Sequence, residues 1–242
     1  MKIKTKFTKL IIFIAAISFV MSYSKKEVSA NASSDNTPKE MYLTFDDGPT
    51  PGITDKILDS LKENNVKATF FLVGKEIEGR EELVERIYRE GHSIGLHTYS
   101  HKFSIIYKSE DNFIDELKKT QDIIYEITKY KATAVRFPGG SDKMLSQSFL
   151  DRLHQCGYTV YDWNSNLQDG EKARLSTEQY LNNSKKIKGD KNRVFLLAHN
   201  NSNNKNTAMA LGTIINHYRS QEFEFKTIDN DTKEYYYKFK KK

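Results

Sequence analysis

The strongest constraint on the fold is a regular alternation between short β-rich apolar runs and segments with helical periodicity. Between the runs, apolar residues recur at helix spacing, as Ile53, Ile57, Leu58 and Leu61 do. Each connection is long enough for a crossover, which favours parallel strands in one α/β domain. Periodicity alone leaves open whether the sheet closes into a barrel. The seven runs lie at residues 41–45, 68–73, 93–96, 134–137, 159–163, 194–198 and 223–228.

The N-terminal segment has the pattern of a secretory signal peptide. Basic residues from Lys2 to Lys9 precede an uncharged run at 10–21, and small residues around Ala30 offer cleavage points. This run is shorter than the roughly 20 residues that span a bilayer. We therefore predict a signal peptide at 1–30, a polar linker at 31–39 and a secreted or envelope location without a stable membrane span after cleavage. An uncleaved N-terminal anchor is the alternative.

Most of the net charge of +6 belongs to that same segment. Residues 1–30 contain six Lys and one Glu, which leaves 32 basic and 31 acidic residues in the rest of the chain. A remainder so close to neutral gives no reason to expect a nucleic-acid partner.

The single cysteine and the basic C-terminal tail each predict how their part of the chain packs. The single cysteine, Cys156, cannot form an intramolecular disulfide, and its place at the end of a helical pattern predicts a small buried apolar residue. The basic tail at 231–242 predicts a solvated end outside a domain that spans 40–230.

Polar side chains follow the first and third β-rich runs. Asp46 and Asp47 end the first run, and His97 and His101 follow the third. On a helical turn this spacing brings both imidazoles to one face, where they can share a metal. With Asp47 as third ligand, they form a facial set that leaves positions open for water and substrate. A helix-capping turn and an incidental histidine pair remain the alternative on these residues alone.

Five ordered motifs resemble those of the polysaccharide deacetylase family, carbohydrate esterase family four. They are TFDDGP at 44–49, HTYSH at 97–101, RFPGG at 136–140, DWN at 162–164 and LAH at 197–199. Together they span most of the chain beyond the predicted linker. The resemblance implies an α/β fold with a single distorted (β/α)7-8 barrel of parallel strands, which agrees with the seven runs.

The resemblance also implies a role for each matching residue in amide hydrolysis. Asp47, His97 and His101 would hold a divalent metal, zinc in the first place, with cobalt or nickel as alternatives. Asp46 would be the general base and would be oriented by Arg136.

On the leaving-group side, the resemblance implies that His199 is the general acid, with Asp162 behind it to keep the imidazole protonated. The Gly139 N–H would help to hold the oxyanion, and Trp163 and Leu197 would form walls of the substrate pocket. The family usually carries an aromatic residue where Gly139 stands, so the resemblance leaves substrate specificity open.

These features together predict a secreted, metal-dependent deacetylase that acts as a monomer. Its expected substrate is the N-acetyl groups of amino sugars in a cell-wall glycan, first of all peptidoglycan. Chitooligosaccharide deacetylation and O-acetyl cleavage on xylan are alternatives within the same chemistry. A catalytically silent glycan-binding protein is the alternative from another class. The sequence does not choose between N-acetylglucosamine and N-acetylmuramic acid as the target.

Overall fold

The computed structural model describes residues 38–172 and 174–239. The predicted signal peptide at 1–30, residues 31–37 of the predicted linker and the last three residues of the predicted tail lie outside the described residues. Within the described ranges, no helix has the length and apolar character needed to cross a bilayer.

The described strands form one sheet in which every pairing is parallel. The main path runs β5-β4-β3-β2-β1-β7-β6, and β8 pairs with the start of β1. The sheet is curled, and among the described residues no ladder joins β5 to β6, so the barrel stays open. The strands are β1 (Glu40–Asp46), β2 (Thr69–Leu72), β3 (Ser93–Leu96), β4 (Ala134–Val135), β5 (Thr159–Val160), β6 (Ser165–Asn166), β7 (Arg193–His199) and β8 (Glu224–Lys226).

The helices follow the strands in the alternation that the sequence predicts, and the predicted α/β class is confirmed. Strand β6 was not predicted, because two polar residues carry no periodic signal. The helices are α1 (Thr54–Glu63), α2 (Gly74–Ile77), α3 (Glu81–Arg89), α4 (Phe103–Ile106), α5 (Glu110–Thr128), α6 (Gln147–Gln155), α7 (Thr177–Ser184) and α8 (Lys205–Ser220), with a 3-10 turn at Ser141–Lys143.

Strand β1 lies at the centre of the sheet and is buried on both faces. Met41, Leu43 and Phe45 pack in the main core, whereas Tyr42 stacks on Phe195 in a second cluster, with ring centroids 4.5 Å apart. Burial on both faces explains why this strand reads as a nearly continuous apolar run.

The register of the strands brings their carboxyl ends together. Asp46 at the end of β1 lies opposite Phe71 on β2 and His199 on β7. Leu96, which precedes the first histidine of the HTYSH motif, pairs with Val135, which precedes Arg136. The parallel topology therefore places four of the five sequence motifs at one edge of the sheet.

The prediction of a solvated tail is wrong for residues 231–239. Tyr235 stacks on Phe195 at 5.4 Å and forms a parallel bridge with Tyr161. Glu234 accepts a hydrogen bond from the Val160 N–H and contacts His154 at 2.8 Å. The basic composition is typical of a solvated end, but the aromatic residues among the lysines pack against the apolar clusters of the domain.

The prediction of a buried Cys156 is also wrong, since this residue is exposed. The apolar stripe of α6 contains Phe149, Leu150 and Leu153, and its period would continue at position 156. The helix ends at Gln155, so Cys156 is the C-cap and leaves the buried stripe before the chain turns at Gly157.

Candidate active site

The acidic pair at the end of β1 is split by a change of backbone direction. Asp46 is the last strand residue and is 2% exposed. Asp47 adopts a left-handed conformation with φ +78°. Such a conformation is unfavourable for a residue with a side chain. It turns the Asp47 carboxylate away from the strand register, so the neighbouring carboxylates can serve different partners.

The two histidines of the HTYSH motif lie in a loop after β3, not on the predicted helical turn. Left-handed residues Thr98 (φ 64°) and His101 (φ 52°) bend this loop back on itself. The carboxylate of Glu116 accepts hydrogen bonds from the N–H groups of Tyr99 (3.0 Å) and Ser100 (2.6 Å). The imidazoles nevertheless come together, with centroids 5.0 Å apart.

Asp47, His97 and His101 converge in a geometry that suits a divalent cation. The Asp47 Oδ1 atom lies 3.6 Å from His97 Nε2 and 3.4 Å from His101 Nε2. Two ligand atoms that are each about 2.1 Å from a shared tetrahedral ion lie about 3.4 Å apart. The mixed nitrogen and oxygen donor set also suits zinc and its neighbours in the first transition row.

Hydrogen bonds outside this set prepare its members to bind a cation. The His97 Nδ1–H donates to the carbonyl of Arg136 at 2.8 Å, which leaves the Nε2 lone pair facing Asp47. The other Asp47 oxygen accepts from the Asn201 amide at 2.9 Å. Burial raises the pKa of Asp47, but the charges of His97, His199 and His101 and the Asn201 bond outweigh burial and lower it. Burial lowers the pKa of His97, which favours its neutral, metal-binding form.

Arg136 follows β4 and is fully buried, and each of its three guanidinium nitrogens donates at least one hydrogen bond. Nη1 donates to Asp46 Oδ1 at 2.9 Å and to the Thr44 hydroxyl at 2.5 Å. Nε and Nη2 donate to the carbonyls of Tyr161 and Asp162. The pairing of Arg136 with Asp46 that the resemblance implies is therefore present in the structure. It leaves Asp46 Oδ2 on the side of His97, 3.7 Å from Nε2.

His199 ends β7, and its partner is Asp169, not Asp162. Asp169 Oδ1 lies 2.8 Å from His199 Nδ1, and its Oδ2 accepts from the His199 backbone N–H at 2.9 Å and from the Thr207 hydroxyl at 2.7 Å. Burial lowers the pKa of His199, but the hydrogen bond and charge of Asp169, with the charges of Asp46 and Asp47, raise it to about 9. The imidazole is thus held in its protonated form at neutral pH.

The prediction that Asp162 lies behind His199 is corrected accordingly. Asp162 accepts hydrogen bonds from the N–H and hydroxyl of Ser141 and from the Tyr237 N–H at 2.8 Å. It ties the loop after β4 to the C-terminal segment. Asp169 was not predicted as a site residue, because the strand before it, β6, has only two polar residues and gives no β-rich run that would mark the Asp-Gly pair as a strand end. Two aspartates seven residues apart cannot be told apart without knowing where the intervening strand turns.

Gly170 lets His199 take up this position. A Cβ atom at residue 170 would lie 2.6 Å from the His199 Cε1 atom and 2.9 Å from Nε2, too close for any side chain. The φ angle of Gly170 lies outside the left-handed range that only glycine adopts readily, so the restriction comes from the imidazole and not from the backbone.

A cavity of about 310 Å³ is lined by Asp46, Asp47, His97, His101 and His199. The three predicted substrate-contacting residues, Gly139, Trp163 and Leu197, all line it. Gly139 has a φ of +78°, and the ring of Phe103 lies beside it, 3.3 Å from where a Cβ atom would be. Phe103 is 53% exposed, so an aromatic ring borders the position at which this chain has a glycine. None of the hydrogen bonds among the described residues uses the Gly139 N–H.

A larger groove of about 730 Å³ lies elsewhere, between α1 and α3. Two of its arginines, Arg80 and Arg86, are already paired with acidic side chains at 2.5–3.0 Å. The groove contains none of the residues that converge at the sheet edge, so its size carries no functional argument.

Comparisons with known proteins agree with the residues at this edge. A family model described as Polysaccharide deacetylase matches residues 33–161. The Peptidoglycan-N-acetylglucosamine deacetylase PgdA of Listeria monocytogenes is 32% identical over 80% of this chain and 39% of its own length. The Peptidoglycan-N-acetylmuramic acid deacetylase PdaA of Bacillus subtilis is 32% identical over 79% of this chain and 71% of its own length.

Solved structures agree with the fold as well. A Streptococcus mutans CE4 esterase superposes with a TM-score of 0.75 and 30% identity, covering 80% of this chain and 87% of that one. The chain spans about half of the length, or less, of the first curated relatives it matches, from 39% to 52%.

Proposed function

The chain belongs to the polysaccharide deacetylase family, and from this premise we propose that it hydrolyses N-acetyl groups of amino sugars in a cell-wall glycan. Peptidoglycan is the substrate we propose, because relatives from Listeria monocytogenes and Bacillus subtilis carry that substrate in their names. The predicted export signal at 1–30 supports action outside the cell. We also propose that it acts as a monomer, since the proposed chemistry needs no group from a second copy.

The observation that carries the proposal is the arrangement of three functions around one cavity. The possible metal ligands Asp47, His97 and His101 share the lining of this cavity with Asp46, which Arg136 pairs with, and with His199, which Asp169 pairs with. Amide hydrolysis requires activation of water, stabilisation of the oxyanion and a proton for the departing amine. A cation site flanked by a base and an acid offers all three.

A divalent ion bound by this set would supply Lewis-acid polarisation of the acetyl carbonyl and would acidify water in the cavity. Asp46 is placed to take the proton. Its Oδ1 is held by Arg136, so the ring-facing Oδ2 remains available on the side of the possible metal ligands. The fixed guanidinium restricts this carboxylate to one orientation, which is what a general base requires.

His199 is placed to donate the second proton. Its Nδ1 is engaged by Asp169, so the proton on Nε2 is the one that can pass to the amine nitrogen of the product. With the His199 pKa raised to about 9, this proton is present at neutral pH. The free Gly139 N–H would contribute to the oxyanion site, while Leu197 and Trp163 would contact the acetyl methyl group and the sugar ring.

The test is acetate release from purified peptidoglycan, with mass spectrometry of the muropeptides to assign the deacetylated sugar. We expect acetate release by the wild-type protein loaded with zinc and loss of that release in Asp46→Asn. The variant should keep its metal, because Asp46 is outside the ligand set. Chitotetraose and acetylated xylan are run in parallel to test the other substrates of the same chemistry.

A wild-type protein that binds metal but releases acetate from none of these glycans would overturn the proposal. It would favour the catalytically silent glycan-binding protein. Equal activity of the Asp46→Asn variant and the wild type would contradict the assignment of the base.

A further inference from the structure

A second cavity, of about 260 Å³, adjoins the active-site cavity. Both are lined by Trp163, Asn166, Gln168 and Glu171, so the two cavities lie side by side and share these four residues. We treat the adjacent pair as one site, which we call the extended groove. Each is near the lower limit of about 300 Å³ for small-ligand sites. One cavity suits a single sugar residue, and the pair suits two that are adjacent in a chain.

Tyr237 from the C-terminal segment forms one wall of the second cavity. Its ring packs edge-on against Trp163, with centroids 5.6 Å apart, and its N–H is anchored on the Asp162 carboxylate at 2.8 Å. Aromatic rings fixed in this way offer apolar contact area to the carbon face of a sugar. The wall exists only because the tail packs against the sheet.

Two exposed lysines, Lys186 and Lys188, line the second cavity but not the first. The backbone N–H of Lys188 donates to the carbonyl of Asn164 at 2.8 Å, which holds this stretch of chain against the groove. The Lys186 ammonium donates to the Asn183 amide oxygen at 2.9 Å. Neither lysine takes part in an ion pair within the described part of the chain. The one carboxylate of the lining, Glu171, belongs to the boundary with the first cavity.

Resting on the proposed deacetylase function, we infer that the second cavity is a subsite for the neighbouring sugar of the glycan and that Lys186 and Lys188 select a sugar bearing a carboxylate. Both lysines line the same cavity as Trp163 and Tyr237, so a sugar bound against that wall would have their side chains within the same cavity. An acidic substituent would gain two charge-assisted contacts that a neutral sugar lacks. The lactyl carboxylate of N-acetylmuramic acid has this chemistry, whereas chitin oligomers have no such group.

The experiment compares two tetrasaccharide probes. One is peptide-free and alternates N-acetylglucosamine with N-acetylmuramic acid, and the other is neutral chitotetraose. We expect the ratio of kcat/KM on the acidic probe to that on the neutral probe to fall roughly three- to tenfold in Lys186→Gln/Lys188→Gln, since exposed ion pairs contribute modestly. The fall should disappear at high ionic strength. The matched control, Lys185→Gln/Lys191→Gln, removes the same charge from nearby exposed lysines outside the groove and should keep the wild-type ratio.

A Tyr237→Ala variant tests the aromatic wall independently of charge. We expect a higher KM for both tetrasaccharides and a smaller effect on the monosaccharide N-acetylglucosamine, because only probes of two or more sugars reach the second cavity. An unchanged ratio in the Lys186/Lys188 variant, or an equal fall in the Lys185/Lys191 control, would overturn the inference.

A direct binding measurement tests the subsite independently of the proposed deacetylase activity. Calorimetric titration of the same two probes reports the preference of the groove even if no acetate is released. A wild-type protein that prefers the acidic probe without hydrolysing it would contradict the deacetylase proposal and support the subsite. A hydrolysing protein whose affinities for the two probes are equal would support the activity and overturn the subsite.

Discussion

Replacing Asp169 by Asn separates the role of this carboxylate from that of Asp162. The asparagine keeps one acceptor oxygen, but its NH2 group cannot accept from the His199 N–H or the Thr207 hydroxyl as Oδ2 does, so the substitution removes the charge together with one acceptor. The rise of the His199 pKa from 6.5 to about 9 corresponds to roughly 3 kcal/mol of preference for the imidazolium form. Burial is the largest single influence on this ring and acts in the opposite direction. Without the Asp169 charge, we therefore expect the pKa to fall from about 9 toward the ordinary value of 6.5.

The effect on activity follows from the protonated fraction of His199. At pH 8, a pKa of about 9 leaves roughly 90% of the rings protonated, whereas a pKa of about 6.5 leaves roughly 3%. A general acid works only in its protonated form. We therefore expect kcat/KM of Asp169→Asn to be about 30-fold lower than that of the wild type at pH 8, with a smaller difference at pH 6.

The assay is the pH profile of kcat/KM for acetate release, whose alkaline limb reports the acid of the free enzyme. We expect the alkaline limb to move down by up to about two and a half pH units in Asp169→Asn. A bound divalent ion lowers the His199 pKa in both proteins, so the difference between them is the quantity to compare.

Asp162→Asn is the matched control, because Asp162 is as buried as Asp169 but bonds to Ser141 and Tyr237. It should lower stability without moving the alkaline limb. A limb that moves in Asp162→Asn and stays in place in Asp169→Asn would refute the reasoning.

The same pKa has a consequence for stability. A histidine whose pKa is raised on folding stabilises the native state fully below its unfolded pKa of 6.5, and this contribution is lost as the pH rises through about 9. Urea unfolding of the wild type and Asp169→Asn should therefore differ most below pH 6.5 and converge toward pH 9.

Four further predictions concern single side chains. His92→Gln should make the free energy of unfolding less sensitive to acid, as urea unfolding would measure. Burial lowers the His92 pKa to about 4, so the wild type should lose up to about 3 kcal/mol of folding stability between pH 6.5 and 4. Gly170→Ala should displace the His199 ring and lower kcat by roughly tenfold or more, with a circular dichroism spectrum like that of the wild type. His101→Gln should lose bound metal in elemental analysis while keeping its fold, since the ring is 35% exposed. Tyr235→Ala should lower the free energy of unfolding by about 1–2 kcal/mol, because its ring stacks in the second apolar cluster.

Each of these predictions has a result that contradicts it. Equal acid sensitivity of His92→Gln and the wild type would show that other groups dominate below pH 6.5. Full activity in Gly170→Ala would mean that the imidazole tolerates displacement, and full metal content in His101→Gln would reject the ligand set. Lys238→Ala, at an exposed position of the same segment, is the control for Tyr235→Ala, and equal stabilities of these two variants would reject packing of the tail.

The fold class and the edge at which the site forms could both be read from local sequence patterns. Apolar runs alternating with helical periods require parallel strands, and parallel strands bring the residues after each run to one edge. That is why Asp46, His97, Arg136 and His199 could be expected near one another before any contact was known. The spacing of the two histidines predicted correctly that their rings lie close together. The local structure differs, since a left-handed loop brings them together where a helical turn was predicted.

Which carboxylate supports His199 was decided only by the tertiary structure. Asp162 and Asp169 are separated by the two-residue strand β6, whose pairing with β7 depends on residues about 30 positions away. That pairing, invisible to local periodicity, sends Asp169 toward the imidazole and leaves Asp162 against the tail. The packing of residues 231–239 and the exposure of Cys156 depend in the same way on where elements end.

The sequence by itself thus determined the parallel α/β architecture and the chemical groups available at one edge of the sheet, because both follow from local periodicity and residue type. The tertiary structure alone decided which of those groups are partners. Hydrogen bonds and burial act over a few ångströms between residues far apart in the chain, and those distances are fixed only when the strands take up their register.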